Sequence, residues 1–155
     1  MNDDLSLVLK EDINLLDKVA DILVYSYNKC KEIGIKEEYS YEELDKFESF
    51  TSRFARLSDF LIYRIFRLID KIDLESEGTF RDIINRSEKK EIIKSAEIFI
   101  EIRILRNQIV HEYIQDDIQG LFKKVLDYTP YLFDSIDRVK KYTEKYNSAE
   151  EKTGK

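Results

Sequence analysis

Nine apolar residues between positions 44 and 72 (Leu44, Phe47, Phe50, Phe54, Leu57, Leu61, Ile65, Leu68 and Ile72) recur at intervals of three and four. An α-helix gathers such positions onto one face, and a rhythm kept over about eight turns leaves no room for a strand. Ser40-Tyr41-Glu42-Glu43, just upstream, reads as a capping box that opens this helix. With one proline and four glycines in 155 residues, the chain has few points for tight turns or sheet corners. The expected class is all-α.

Other segments repeat the pattern. A first helix is expected from about Lys10 to Ile33, with Ile13, Leu16, Val19, Ala20, Leu23, Val24 and Tyr27 on its apolar side and Gly34 as its stop. Thr79, with Asp82 three positions on, caps a short third helix through about Glu88. A fourth helix covers about Ser95 to Ile114. A fifth begins near Asp116 or Asp117 and reaches about Tyr146, with an interruption before Pro130. These elements predict one domain over residues 1–146, an up-and-down bundle of about five helices with two long antiparallel members. Residues 147–155, polar and charged, are expected to be a disordered tail.

Composition narrows the class of function. The chain is 37% charged and 43% hydrophobic, which suits amphipathic helices and excludes a low-hydrophobicity disordered chain. A single cysteine, Cys30, cannot form an internal disulfide or a multi-cysteine zinc site, and its expected role is a small residue on a helix. Asp3 and Asp4 stand where a signal peptide carries positive charge, and no apolar run approaches the ~20 residues of a membrane span. The expectation is a cytoplasmic protein without a membrane partner. A net charge of -6 argues against nucleic-acid binding through the whole surface. Eight of the nine arginines, however, fall between positions 53 and 106, so any anion site is central and arginine-rich.

Four of those arginines form a pattern. On a regular helix Arg53, Arg56, Arg64 and Arg67 fall within an arc of roughly 80° around Phe60. Such a ridge can track an RNA backbone with Phe60 available for stacking, or it can pair with carboxylates such as Asp59 and Asp70 on a solvated face. The fourth helix has two apolar faces. Ile98, Ile102, Leu105 and Ile109 form one; Ile100 and Ile104, continued by Asn107 and His111, form the other. A helix at the edge of a monomer has no need of the second face, so a dimer seam is expected there. Arg106 and His111 point ~140° apart on a straight helix. To share a pocket they need either a local irregularity after Arg106 or two protomers that each supply one of them.

Arg106-Asn107, followed by His111-Glu112-Tyr113, resembles the signature of the HEPN superfamily: an Arg with a polar neighbour, a His four to six positions on, and a Tyr two beyond. The likeness is to the HepT-like toxins encoded beside a small nucleotidyltransferase antitoxin. It extends to Glu48-Ser49-Phe50, Arg53-Phe54, Arg56-Leu57 and Asp59, and to Glu77-Gly78-Thr79 with Arg81-Asp82. The resemblance implies a HEPN-like fold and a homodimeric, metal-independent endoribonuclease that needs no cofactor. It also implies the toxin of a type VII-like toxin-antitoxin pair, neutralised by a nucleotidyltransferase that adenylylates Tyr113. An added adenylyl phosphate beside the cleft would repel an RNA backbone.

The residue chemistry agrees. Metal-independent RNA cleavage must deprotonate a 2'-OH, stabilise a charged phosphorane and protonate the departing 5'-oxygen. Histidine, with an unperturbed pKa near ~6.5, suits the proton work, and the arginine fork suits the phosphate. The expected catalytic set is His111 as base or acid, Arg106 as phosphate stabiliser and Asn107 as support, with Arg53, Arg56 and Arg103 on the RNA. The bland alternatives are a hydrogen-bonded surface histidine and a structural tyrosine. Two rival functions keep the fold: a catalytically silent HEPN-like protein that binds nucleotide or RNA or docks a nucleotidyltransferase, and a purely structural adaptor. One histidine cannot build the usual zinc site, and no glycine-rich phosphate loop is present.

Overall fold

The computed structural model describes the backbone of residues 2–75, 77–111 and 117–153 and the side chains of residues 4–75, 77–111 and 117–147. Among them are five helices and no strand. Helix α1 is Asn2–Ile33; α2 covers 41–72, α-helical over Tyr41–Asp59 and Phe66–Ile72 with a π-helical stretch at Phe60–Ile65 between; α3 is Phe80–Lys89, α4 Ala96–His111 and α5 Ile118–Thr153. The all-α bundle expected from the apolar rhythm is the fold observed.

Caps and stops follow local chemistry. Ser40 and Glu43 form the reciprocal box, the Glu43 amide donating to Ser40 Oγ at 3.1 Å and the Ser40 amide to Glu43 Oε1 at 2.9 Å. Thr79 and Asp82 do the same for α3. Gly34 ends α1 with φ at +73°, a left-handed conformation that costs glycine little.

Three boundaries differ from the sequence expectation. Helix α1 starts at Asn2 rather than near Lys10, because Leu9 continues the buried seam of Leu16, Leu23 and Cys30 by one more step of seven. Pro130 does not interrupt α5. It lies on the exposed side of a helix that buries Phe122 and Val125 before it and Leu132, Ile136 and Val139 after it. That packing outweighs one missing backbone bond, at a proline cost of about 3 kcal/mol. Helix α5 also passes Asn147 and continues to Thr153, since Ser148-Ala149-Glu150-Glu151-Lys152 contains no breaker before Gly154.

Helix α2 is the central element. Every residue of its predicted stripe from Phe47 to Ile72 is buried. Helix α1 lies antiparallel to it: Ser26 meets Arg53 and Asp12 meets Arg64. Helix α4 is also antiparallel, with Arg106 beside Asp59 and Phe99 5.9 Å from Phe66. Helices α3 and α5 run parallel to α2, and Phe122 stacks on Phe47 at 4.1 Å near one end of α5. Phe47, Phe50, Phe54, Phe66 and Phe99 are fully buried, each contributing about 2 kcal/mol through removal from water.

Cys30 is fully buried in this core, and burial raises its thiol to about 11. It is a packing residue. At the far end of α2, Asp70 accepts from Arg86 and from Lys90 Nζ at 2.7 Å, and Asp73 accepts from Tyr142 at 2.5 Å and Tyr146 at 2.6 Å. This network locks α2, α3 and α5 together. No helix among the described residues is long and apolar enough to cross a membrane.

Candidate functional site

Helix α4 is held at its N-terminal end. The Glu88 carboxylate accepts from the Ala96 amide at 2.6 Å, satisfying an otherwise open N-terminal donor. The preceding connection is pinned to α5, where Ser135 donates to the Ile92 carbonyl and Arg138 to that of Glu91. Ala96, Phe99, Ile102 and Leu105 face the core. The opposite strip is exposed: Ile104 is 47% accessible, and Asn107 and His111 lie outward beyond it. The two-faced character inferred from spacing is therefore present, with Phe99 added to the inner face.

Arg106 turns toward α2. Its Nε donates to Asp59 Oδ1 and its Nη2 to Asp59 Oδ2, both at 2.8 Å, and its Nη1 donates to Asn107 Oδ1 at 3.3 Å. This two-point pairing raises the guanidinium further above its ordinary value, so it carries a permanent charge. Arg106 and Asn107 are thus brought together, and Asp59, expected as a partner for the ridge and as part of the HEPN-like block, is what orients Arg106. His111 ends α4 and is exposed. The helix is regular across the whole interval, so Arg106 and His111 point ~140° apart. A local irregularity within this stretch does not bring them together.

The arginine ridge divides. A regular helix would keep its members on one arc, but each π turn takes in an additional residue, and the azimuth lags by roughly 100° across Phe60–Ile65. Arg53 donates to Ser26 Oγ and Arg64 to Asp12 at 2.8 Å, both toward α1. Arg67 lies over Tyr63 at 5.6 Å, and Arg56 is exposed with no ion pair among the described residues. The carboxylates expected to pair with the ridge are engaged elsewhere, Asp59 by Arg106 and Asp70 by Arg86 and Lys90. Long-range packing, invisible to helical arithmetic, chose those partners.

Arg103, the remaining predicted RNA contact, lines an open groove of about 570 Å³ between α3 and α4. Phe80 and Arg81 come from α3, and Ile100, Ile104 and Asn107 from α4. The Arg103 guanidinium carbon lies 4.1 Å from the centre of the Phe80 ring. Arg81 was legible only as part of a block shared with the HEPN pattern, with no role attached, and Phe80 carried no signal in the sequence. Tyr113 lies outside the described residues. No protein-family model matches the chain, and no curated protein is similar to it.

Proposed function

We propose that this chain is a HEPN-type, metal-independent endoribonuclease, the toxin of a type VII-like toxin-antitoxin pair, working in the cytoplasm as a homodimer. The observation that carries the reading is the divided motif. Arg106 is fixed by Asp59 on one side of α4 and reaches back to Asn107, while His111 projects with Asn107 from the exposed strip of Ile104. Two copies meeting along that strip would set Arg106 of one protomer near His111 of the other.

In such a cleft Arg106 and Asn107 hold the scissile phosphate. His111 takes the 2'-OH proton as the 2'-oxygen bonds to phosphorus, and water returns a proton to the 5'-oxygen as its bond to phosphorus breaks, leaving a 2',3'-cyclic phosphate and a 5'-hydroxyl. A partner nucleotidyltransferase would silence the site by adenylylating Tyr113, whose added phosphate repels RNA.

The Arg106–Asp59 pair also favours a second reading. A guanidinium with Nε and Nη2 already satisfied can be structural, and the protein would then be a silent HEPN-like binder of RNA or of a nucleotidyltransferase. The two part in one assay: RNA is incubated in chelator with wild type, Arg106→Ala and His111→Ala, and dimer content is followed by light scattering. The enzyme reading expects cleavage by wild type alone and cyclic-phosphate ends. A wild type that never cleaves leaves the binder.

A further inference from the structure

We infer that the groove between α3 and α4 is a seat for one unpaired nucleobase of single-stranded RNA, placed beside the cleavage site by a ladder of two rings flanked by two cations. The inference rests on the ribonuclease reading and adds a base-recognition subsite to it. The ladder is Arg103, Phe80, Tyr63 and Arg67, drawn from α4, α3 and α2. Arg103 lies 4.1 Å from the Phe80 ring centre, Phe80 and Tyr63 are 6.4 Å apart, and Arg67 lies 5.6 Å from the Tyr63 ring centre.

Three properties select this ligand. The groove, at about 570 Å³, falls within the ~300–1,000 Å³ of small-molecule sites and so holds more than a lone anion. Among the described residues no carboxylate lines it, and Arg81 and Arg103 form no ion pair, whereas Arg64, Arg86, Arg106 and Arg138 do. Two unneutralised cations in a chain of net charge -6 call for an anionic guest. The rest of the lining is Thr79, Asn107, Ile100, Ile104 and an aromatic-backed guanidinium, whose apolar and planar part suits a flat, apolar-faced group rather than a carboxylate side chain. An unpaired base joined to phosphate has both properties, and a paired base cannot leave its helix to enter. Asn107 borders both the groove and Arg106, so the seated base and the held phosphate belong to neighbouring nucleotides.

The test separates binding from cleavage. A fluorescent oligonucleotide with 2'-O-methyl groups throughout cannot be cut, and its anisotropy reports affinity for wild type, Phe80→Leu, Arg103→Gln and the control Tyr41→Ala. Phe80→Leu and Arg103→Gln should each weaken binding about five- to a hundredfold, the range expected for loss of one stacked base. Tyr41→Ala, exposed at the start of α2 and away from the groove, should bind as wild type does. Abasic substitution, moved along the strand, should find one position that costs wild type the same factor and costs Phe80→Leu nothing more; this arm needs no altered protein. The duplex form should bind more weakly than the single strand. Wild-type affinity in both groove variants, no sensitive abasic position, preference for duplex, or no binding by wild type would each overturn the inference. Failure of cleavage with the stacking pattern intact would overturn the ribonuclease reading alone.

Discussion

Arg106 and Asp59 form a two-point ion pair between α4 and α2, with two parallel N–H···O contacts of 2.8 Å across 47 positions of sequence. Both side chains are partly open to solvent, 26% and 34% accessible. The pair therefore acts more as a positioning device than as a source of stability.

Asp59→Asn should accordingly cost about 1 kcal/mol or less in urea unfolding while lowering RNA cleavage at least tenfold, mainly in kcat. Asp59→Glu, which keeps the acceptor pair, should recover part of that activity. Equal cleavage by wild type and Asp59→Asn would remove Asp59 from the site.

A divided motif predicts complementation. Arg106→Ala and His111→Ala should each be inactive alone, yet after mixing and subunit exchange a 1:1 sample should regain about a quarter of wild-type cleavage. Half of the dimers are then mixed, and each has one intact site. Absence of any recovery, with exchange verified by mass spectrometry, would mean that Arg106 and His111 act within one protomer or not at all.

Pro130 sits in the exposed side of an unbroken helix, so Pro130→Ala should raise the thermal midpoint. Regaining a backbone donor and good helix propensity offers up to about 3 kcal/mol, less about 1 kcal/mol for the freer unfolded chain. A fall in the midpoint would show that the Pro130 ring is needed for packing.

Alkaline pH should loosen the fold. Burial, then bonding to Asp73, raises Tyr142 and Tyr146 above the ordinary phenol range, and burial raises Cys30 to about 11. The unfolded chain releases these protons at lower pH than the native state does. The stability they contribute is full below the unfolded values and declines as pH rises from about 9. The urea midpoint should drop between pH 8 and pH 10.5, and Cys30→Ala should lessen the slope. A flat profile would contradict the assignment. Native Cys30 should also resist thiol reagents that label it at once in urea.

Much of the fold could be read from the chain because the signals were local. The Phe47 to Ile72 stripe, the Ser40 and Thr79 boxes and the Gly34 stop depend on neighbours within a turn or two. What could not be read was set by distant contacts. The π stretch at Phe60–Ile65 has no breaker in its sequence, and Pro130 gives a local signal that tertiary packing overrides. At the candidate site, spacing separated Arg106 from His111 and exposed the second face of α4. It could not reveal that Asp59 would hold Arg106, or that Phe80 would come to lie under Arg103.

The π stretch gives one rod two bearings. Asp59 and Asp70 are eleven positions apart, so on an uninterrupted α-helix they would point within about 20° of each other. Both carboxylates would face the same neighbour. With the added residue, the upstream half presents Asp59 to α4 while the downstream half presents Asp70 to α3 and Lys90. Excising a single residue there would leave the apolar composition intact but force a choice between the two partners. The orientation of Arg106 is thus a matter of helical phase, decided by one surplus residue lodged in the middle of the bundle.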